Sequence, residues 1–199
     1  MSEMFPTLYV ARHGETAWNL SGQHTGLRDL PLTEGGIRNA RRLGNTLRGR
    51  LFAQVFTSTL QRARHTCELA RFGAQAEVDP DLVEWNYDEY EGLRPEDIEA
   101  RRPGWELFRE GCPGGESADD VRARADRVVE RVRAFQQDVL IFSGGHLLRV
   151  LAARWLGLEP QVGRYFLLDT ASLSGLSYEQ NRLRPVIKLW NDLHHLMHH

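Results

Sequence analysis

The sequence predicts an α/β fold: a three-layer sandwich with a mostly parallel, mixed sheet, helices on both faces and a small cap region. Three observations lead there. Short, unbroken apolar runs at residues 8–11 and 139–142 read as strands buried on both faces. Stretches with apolar residues at helical spacing separate the strand candidates, which is the alternation of a parallel sheet. Two consecutive strand-like runs close the chain with Asn181 in the turn between them, so one edge of the sheet is mixed.

Taken in order, residues 8–11 form the first strand and run into Arg12, His13 and Gly14. Residues 19–32, rich in Gly, Asn, Thr and Pro, read as an ordered loop. Thr33 caps a helix to about residue 48, with Ile37, Ala40, Leu43 and Leu47 on one face. A strand at 54–57 leads into a helix at 59–70 that turns Leu60, Ala63, Cys67 and Ala70 inward, and a short strand follows at 76–78. Residues 80–116 are broken by Pro80, Pro95, Pro103 and Pro113, with a short helix at 95–101 carrying proline in its first turn. Ser117 caps a long helix to about 137, with Val121, Ala125, Val128, Val132 and Phe135 at helical spacing. The strand at 139–142 leads through Ser143-Gly144-Gly145 into a helix at 146–156 that Gly157 stops. Strands at 172–178 and 183–189 finish the chain. The whole chain, 1–199, reads as one domain with a cap insertion at about 86–116.

Composition excludes several classes of function. The chain of 199 residues is 41% hydrophobic and 26% charged, with a formal net charge of −2, values of an ordinary globular protein. Near-neutral charge argues against nucleic-acid or anionic-membrane binding. No apolar run is long enough to span a bilayer, and residues 1–6 lack the pattern of a signal peptide. Cys67 and Cys112 have neither disulfide-scaffold nor metal spacing and read as reduced thiols, which places the protein in the cytoplasm. His194, His195, His198 and His199 read as a frayed end or a tag remnant rather than a metal-binding tract. The oligomeric state is left open, a homodimer being one option.

Ligands of such folds bind at the carboxyl ends of the strands. The segments there, 12–15, 57–62 and 143–149, bring Arg12, His13, Glu15, Arg62, His146 and Arg149 to one rim, and so many basic groups point to an anionic ligand. Arg12 beside His13 sets a planar fork for phosphate oxygens next to an imidazole, and Gly14 allows close backbone approach. From geometry alone, His13 reads as a structural donor more readily than as a nucleophile.

The stretch Leu8-Tyr9-Val10-Ala11-Arg12-His13-Gly14-Glu15-Thr16-Ala17-Trp18-Asn19 resembles the opening signature of the histidine phosphatase superfamily, also called phosphoglycerate-mutase-like. Thr25-Gly26, Leu30 to Gly36, Thr57-Ser58, Arg62-Ala63, Thr66, Glu84 to Tyr87 and Tyr90-Glu91-Gly92 continue the pattern over nearly the whole chain. The run Gly111 to Ser117 is similar to the small-phosphatase branch that includes acid phosphatases and sedoheptulose-bisphosphatase. The resemblance implies that His13 attacks phosphorus and forms a phosphohistidine. It implies that Arg12 and Arg62 clamp the phosphoryl oxygens. Glu84 would protonate the leaving oxygen and then deprotonate water. Asn19, Thr25 and Gly26 would line the phosphate pocket or its rim, with Gly144, Gly145 and His146 completing the phosphate-binding set. Trp18 and Trp85 read as packing. Neither metal nor cofactor is expected.

One position departs from the family pattern His-Gly-X-X-Leu-Arg. Alignment on Leu148-Arg149 puts Gly144 where a second histidine is expected, with His146 two positions later. Natural divergence, an engineered change, or His146 filling the role from a shifted loop would each account for it. Losing one such donor costs about 10²–10³ in rate, so an impaired phosphatase is expected, and Gly144→His is expected to raise kcat. The leading reading is a metal-independent phosphomonoesterase acting on small phosphate esters, sugar phosphates among them. The alternative is a phospho-ligand-binding or regulatory protein with little turnover. A phosphoglycerate mutase ranks third, because such relatives carry extra segments after the Glu84 region. Arg94, Arg101, Arg102 and Arg109 would contact a second phosphate or a carboxylate, or else form a solvated surface among Glu89, Glu91, Glu96, Asp97 and Glu99; the solvated surface is the favoured reading.

Overall fold

The computed structural model describes residues 5–197. Its sheet has six strands: β1 (Leu8–Arg12), β2 (Gln54–Thr57), β3 (Ala76–Val78), β4 (Val139–Ser143), β5 (Leu173–Tyr178) and β6 (Pro185–Asp192). They lie in the order β3-β2-β4-β1-β5-β6. The first four run parallel, while β5 is antiparallel to both β1 and β6, which makes the mixed edge that the terminal pair predicts. The helices are α1 (Ala17–Ser21), α2 (Glu34–Thr46), α3 (Gln61–Leu69), α4 (Pro95–Arg101), α5 (Leu107–Glu110), α6 (Ala118–Arg133), α7 (Gly145–Trp155) and α8 (His194–Met197).

The unbroken apolar strands have a direct structural cause. Alternate residues of β1 and β4 face opposite layers. Leu8, Val10, Val139 and Ile141 pack with Val121, Val128, Leu148 and Leu151 of α6 and α7. Tyr9, Ala11, Leu140 and Phe142 pack with Leu43, Leu47, Cys67 and Ala70 on the opposite side, where α2 and α3 lie. Both central strands are thus covered on both faces, as a parallel sheet requires. Cys67 and Cys112 are buried and unpaired, and burial pushes each thiol up to about 12, which leaves neither reactive.

Three boundaries differ from the sequence reading. The stretch read as loop from residue 19 contains the end of α1. Thr16 caps this helix reciprocally with Asn19, and Gly22 at φ 76° ends it. The long helix stops at Arg133, where Ala134 N–H bonds back to Arg131 in a tightened last turn. The terminal hairpin turn is longer than expected. Gln180 takes φ 62° and Glu179 N–H closes on the Arg184 carbonyl (2.8 Å), so β6 begins at Pro185. His194 and His195 belong to α8, while His198 and His199 lie outside the described residues, as do residues 1–4. Among the described residues no helix is long and apolar enough to cross a membrane.

Candidate active site

His13 is the first residue past β1 and is 2% exposed. Its N–H donates to Ser143 O (3.0 Å) and its carbonyl accepts from Ala171 N (3.0 Å), so β4 and the approach to β5 fix its backbone from both sides. Gly14 follows because the chain there passes against the start of α2, where a Cβ would lie 2.7 Å from Gly36 O. The ring's two hydrogen bonds set its tautomer. Nδ1 lies 2.7 Å from Gly14 O, which can only accept, so Nδ1 carries the hydrogen. Arg62 Nε donates to Nε2 (3.2 Å), so Nε2 presents its lone pair. Burial, then Arg62 and Arg12, holds the imidazole well below the ordinary histidine range, which keeps that lone pair free of protons.

Arg62 projects from α3 and is 1% exposed. It also donates to the carbonyls of Arg28 (2.9 Å), Gly26 (2.7 Å) and Thr25 (3.2 Å), so residues 25–28 wrap the guanidinium. The carboxylate of Glu91 closes this turn from outside by accepting from Gly26 N (2.8 Å) and Leu27 N (3.1 Å). Arg12 ends β1 and donates to Leu168 O (2.5 Å), while its Nε is buried without a partner among the described residues. An unpaired buried guanidinium N–H next to a lone-pair imidazole marks a seat for an anion.

Glu84 follows a proline-initiated turn and is 4% exposed. Its Oε1 accepts from Trp85 N (2.9 Å) and Leu147 N (2.8 Å), and its Oε2 accepts from His146 N (3.0 Å). The carboxyl group therefore sits on the N-terminus of α7 and takes up its first free N–H groups. Gly144 makes the room: a Cβ there would lie 2.3 Å from Glu84 Oε2 and 2.6 Å from its Cδ. A Cβ on Gly145 would meet Arg12 Nε at 2.9 Å. The glycine pair thus seats a carboxylate on one side and a guanidinium on the other. The expected gain from Gly144→His has no space while Glu84 keeps this seat. We expect Gly144→Ala and Gly144→His each to lower kcat by displacing Glu84, with Gly144→Ala unfolding within about 2 kcal/mol of wild type in urea. A faster Gly144→His enzyme would show that the loop opens instead.

A buried clamp holds the segment that carries Glu84. Arg124 of α6 donates to both oxygens of Glu116 (2.8 and 2.9 Å) and to the carbonyls of Asp81 (3.0 Å) and Val83 (2.6 Å). Glu116 in turn accepts from Asn86 N (2.8 Å) and, on its backbone carbonyl, from Trp85 Nε1 (2.9 Å). Both flanks of Glu84 are tied to one ion pair. Trp85 is fully buried, in keeping with a packing role.

The cavity at His13 is lined by Arg12, His13, Asn19, Gln23, His24, Thr25, Glu84, Tyr87 and His146. Of the residues expected from sequence, Arg62 and Gly26 lie behind this lining, and Gly144 and Gly145 act as the seats just described. Gln23, His24 and Tyr87 are additions. His24 is one of the four histidines outside the C-terminal tract, with His13, His65 and His146, that the sequence leaves for chemistry without assigning it a role, and Gln23 sits in a stretch without periodicity or spacing signal. Tyr87 OH lies 2.5 Å from His146 Nδ1. Burial and Glu84 push the Tyr87 hydroxyl well up, and burial with Arg149 pushes His146 well down. Tyr87 therefore donates, and His146 keeps its hydrogen on Nε2. Arg149 is turned away, to the carbonyls of Gly163 (3.0 Å) and Arg164 (2.7 Å). Glu15 accepts from Thr33 Oγ1 (2.6 Å) at the start of α2 and does not line the cavity. Arg94, Arg101, Arg102 and Arg109 are exposed and outside it. Among the described residues no group of His, Cys, Asp and Glu is placed to hold a metal.

A neutral imidazole lone pair between two guanidinium groups, with a carboxylate across the cavity, suits attack on a phosphorus centre followed by proton delivery to a leaving oxygen. Residues 8–193 match the model of the histidine phosphatase superfamily (branch 1). The chain is 37% identical over 177 residues to an acid phosphatase of Mycobacterium tuberculosis, covering 86% of each chain. It is 34% identical over 194 residues to sedoheptulose 1,7-bisphosphatase of Saccharomyces cerevisiae, covering 81% of this chain and 71% of the other. A solved structure of an open reading frame product from Mycobacterium tuberculosis superposes with a TM-score of 0.88 at 34% identity, covering 94% of this chain and 97% of that one.

Proposed function

The chain belongs to branch 1 of the histidine phosphatase superfamily, and from that footing we propose that it hydrolyses small phosphate monoesters through a phosphohistidine at His13, without a metal. The observation that carries this reading is the tautomer of His13: Gly14 O fixes the hydrogen on Nδ1 and Arg62 Nε donates to Nε2, so Nε2 is the unprotonated nitrogen, and its lone pair turns to phosphorus once Arg62 passes its N–H to a phosphoryl oxygen. Nε2 attacks phosphorus and the P–O bond to the alcohol breaks. Arg12 and Arg62 hold the non-bridging oxygens, whose charge shifts during transfer. Glu84 gives its proton to the departing oxygen, then takes one from the water that attacks the phosphohistidine. Two arginines supply the positive charge that a metal otherwise would. Asn19, Thr25 and His146 border the phosphoryl seat, and residues 86–116 form the cap, Tyr87 being its contact with the cavity. The cytoplasm is the compartment this reading implies, with its free thiols.

The test is phosphate release from p-nitrophenyl phosphate across pH 4–8 in the presence of EDTA. Because burial and the arginines lower the His13 pKa, the lone pair stays available below pH 6.5 and activity is expected to persist on the acid side. Activity lost with EDTA and restored by Mg²⁺ or Zn²⁺ would refute the metal-free mechanism. Binding of inorganic phosphate without any turnover would favour the ligand-binding alternative.

A further inference from the structure

His24 holds the feature of this cavity that phosphoryl transfer leaves unused. It lines the cavity beside His13 and Glu84, and its Nε2 is buried with no hydrogen-bond partner among the described residues. A buried polar atom left unpaired costs stability unless a ligand or water satisfies it. The ring is held in place for such a partner. It lies tilted against Tyr87 (centroids 4.9 Å apart, 38°) and meets Trp105 edge-on (6.0 Å, 84°). Its backbone is pinned on both sides, His24 N donating to Leu93 O and its carbonyl accepting from Gly92 N, each at 2.9 Å.

The charge around it defines what that partner is. Arg12 and Arg62 are the cations at His13, and the phosphoryl group engages both. The rest of the lining is Asn19, Gln23, Thr25, Tyr87 and His146, all neutral, together with the carboxylate of Glu84. Burial lowers the pKa of both His24 and His146, which favours uncharged rings at neutral pH. Arg149 is absent from this lining and turns its guanidinium outward to the carbonyls of Gly163 and Arg164. A second anion close to the ester would find no free cation in this lining, whereas a hydroxyl finds both donors and acceptors.

We propose that His24 binds a hydroxyl of the leaving group, so that the site selects esters whose alcohol is a neutral polyol over esters whose alcohol carries a second anion. This rests on the phosphatase reading above and names its substrate class. No chemical step is added: His24 orients the alcohol while Glu84 handles the proton.

The experiment compares glycerol 3-phosphate with 3-phosphoglycerate, which differ only in a terminal CH₂OH against a carboxylate, and with p-nitrophenyl phosphate, which has no hydroxyl. Wild-type kcat/KM should favour glycerol 3-phosphate over 3-phosphoglycerate by at least about tenfold. In His24→Leu the kcat/KM for glycerol 3-phosphate should fall about tenfold further than that for p-nitrophenyl phosphate, chiefly through KM. His24→Gln, which keeps a donor and an acceptor, should retain most of the preference, and His24→Arg should shift it toward 3-phosphoglycerate. A wild-type preference for 3-phosphoglycerate, or one common loss on all three esters in His24→Leu with none recovered in His24→Gln, would overturn the assignment. Calorimetric titration of the His13→Ala protein with the same two ligands separates this from the phosphatase reading. Tighter binding of glycerol 3-phosphate supports His24 even if wild type releases no phosphate, and equal or reversed binding overturns it.

Discussion

His13→Ala protein should trap no phosphate and lose at least about 10⁴-fold in kcat, because the alanine removes the only nucleophile the mechanism has. Water attacking directly would have to cross in one step a barrier that the imidazole divides in two. The wild-type protein, mixed with ³²P-labelled substrate and quenched in denaturant, should carry label that is stable to base and labile to acid, as a phosphoramidate is. The label should be absent from His13→Ala. The fold should survive the change, since β1 and its partners β4 and β5 are held by backbone hydrogen bonds that the ring does not make. Label found on a serine or an aspartate would overturn the mechanism, because acyl phosphates and phosphoserine have different acid and base lability.

Glu84→Gln comes second in size, and its effect should depend on the substrate. An alkoxide is a poor leaving group and needs a proton in the transition state, while p-nitrophenolate departs readily as an anion. The variant should therefore lose about 10²–10⁴ on an alkyl phosphate and far less on p-nitrophenyl phosphate. Glutamine fills the same seat but brings an NH₂ toward an array of N–H donors. Glu84 accepts three of them, from Trp85, His146 and Leu147, and the amide cannot accept them all. Some of the loss will thus come from a shifted side chain, and that part falls on every substrate alike. The ratio of the two losses isolates proton delivery. Equal losses on both esters would assign Glu84 a positioning role only.

By itself the sequence determined the layers of this protein. Apolar runs such as residues 139–142 have no alternation, and a strand buried on both faces is the structure that uses one. Thr33 and Ser117 announced the starts of α2 and α6 through short-range capping bonds, which need no distant partner. Helix ends were harder to read. The last turn of α6 and the hairpin turn at 180–184 depend on how the chain must re-enter the sheet, not on a local signal.

The site divides along the same line. Arg12, His13 and Arg62 stand where strands end or helices begin, so topology brings them to one rim. The tertiary structure alone decided three things. It placed Gln23 and His24, from a stretch without pattern, against Tyr87 and His146. It turned Arg149 outward to the carbonyls of residues 163 and 164. Above all, it gave Gly144 its meaning. Read along the chain, glycine at that position is a missing imidazole; in space it is the clearance for a carboxylate 60 residues earlier, seated on the first N–H groups of α7. Local sequence encodes what a residue can offer its neighbours within a turn or two. Which distant group takes up that offer is settled by packing, where a single Cβ 2.3 Å from an oxygen is enough to decide.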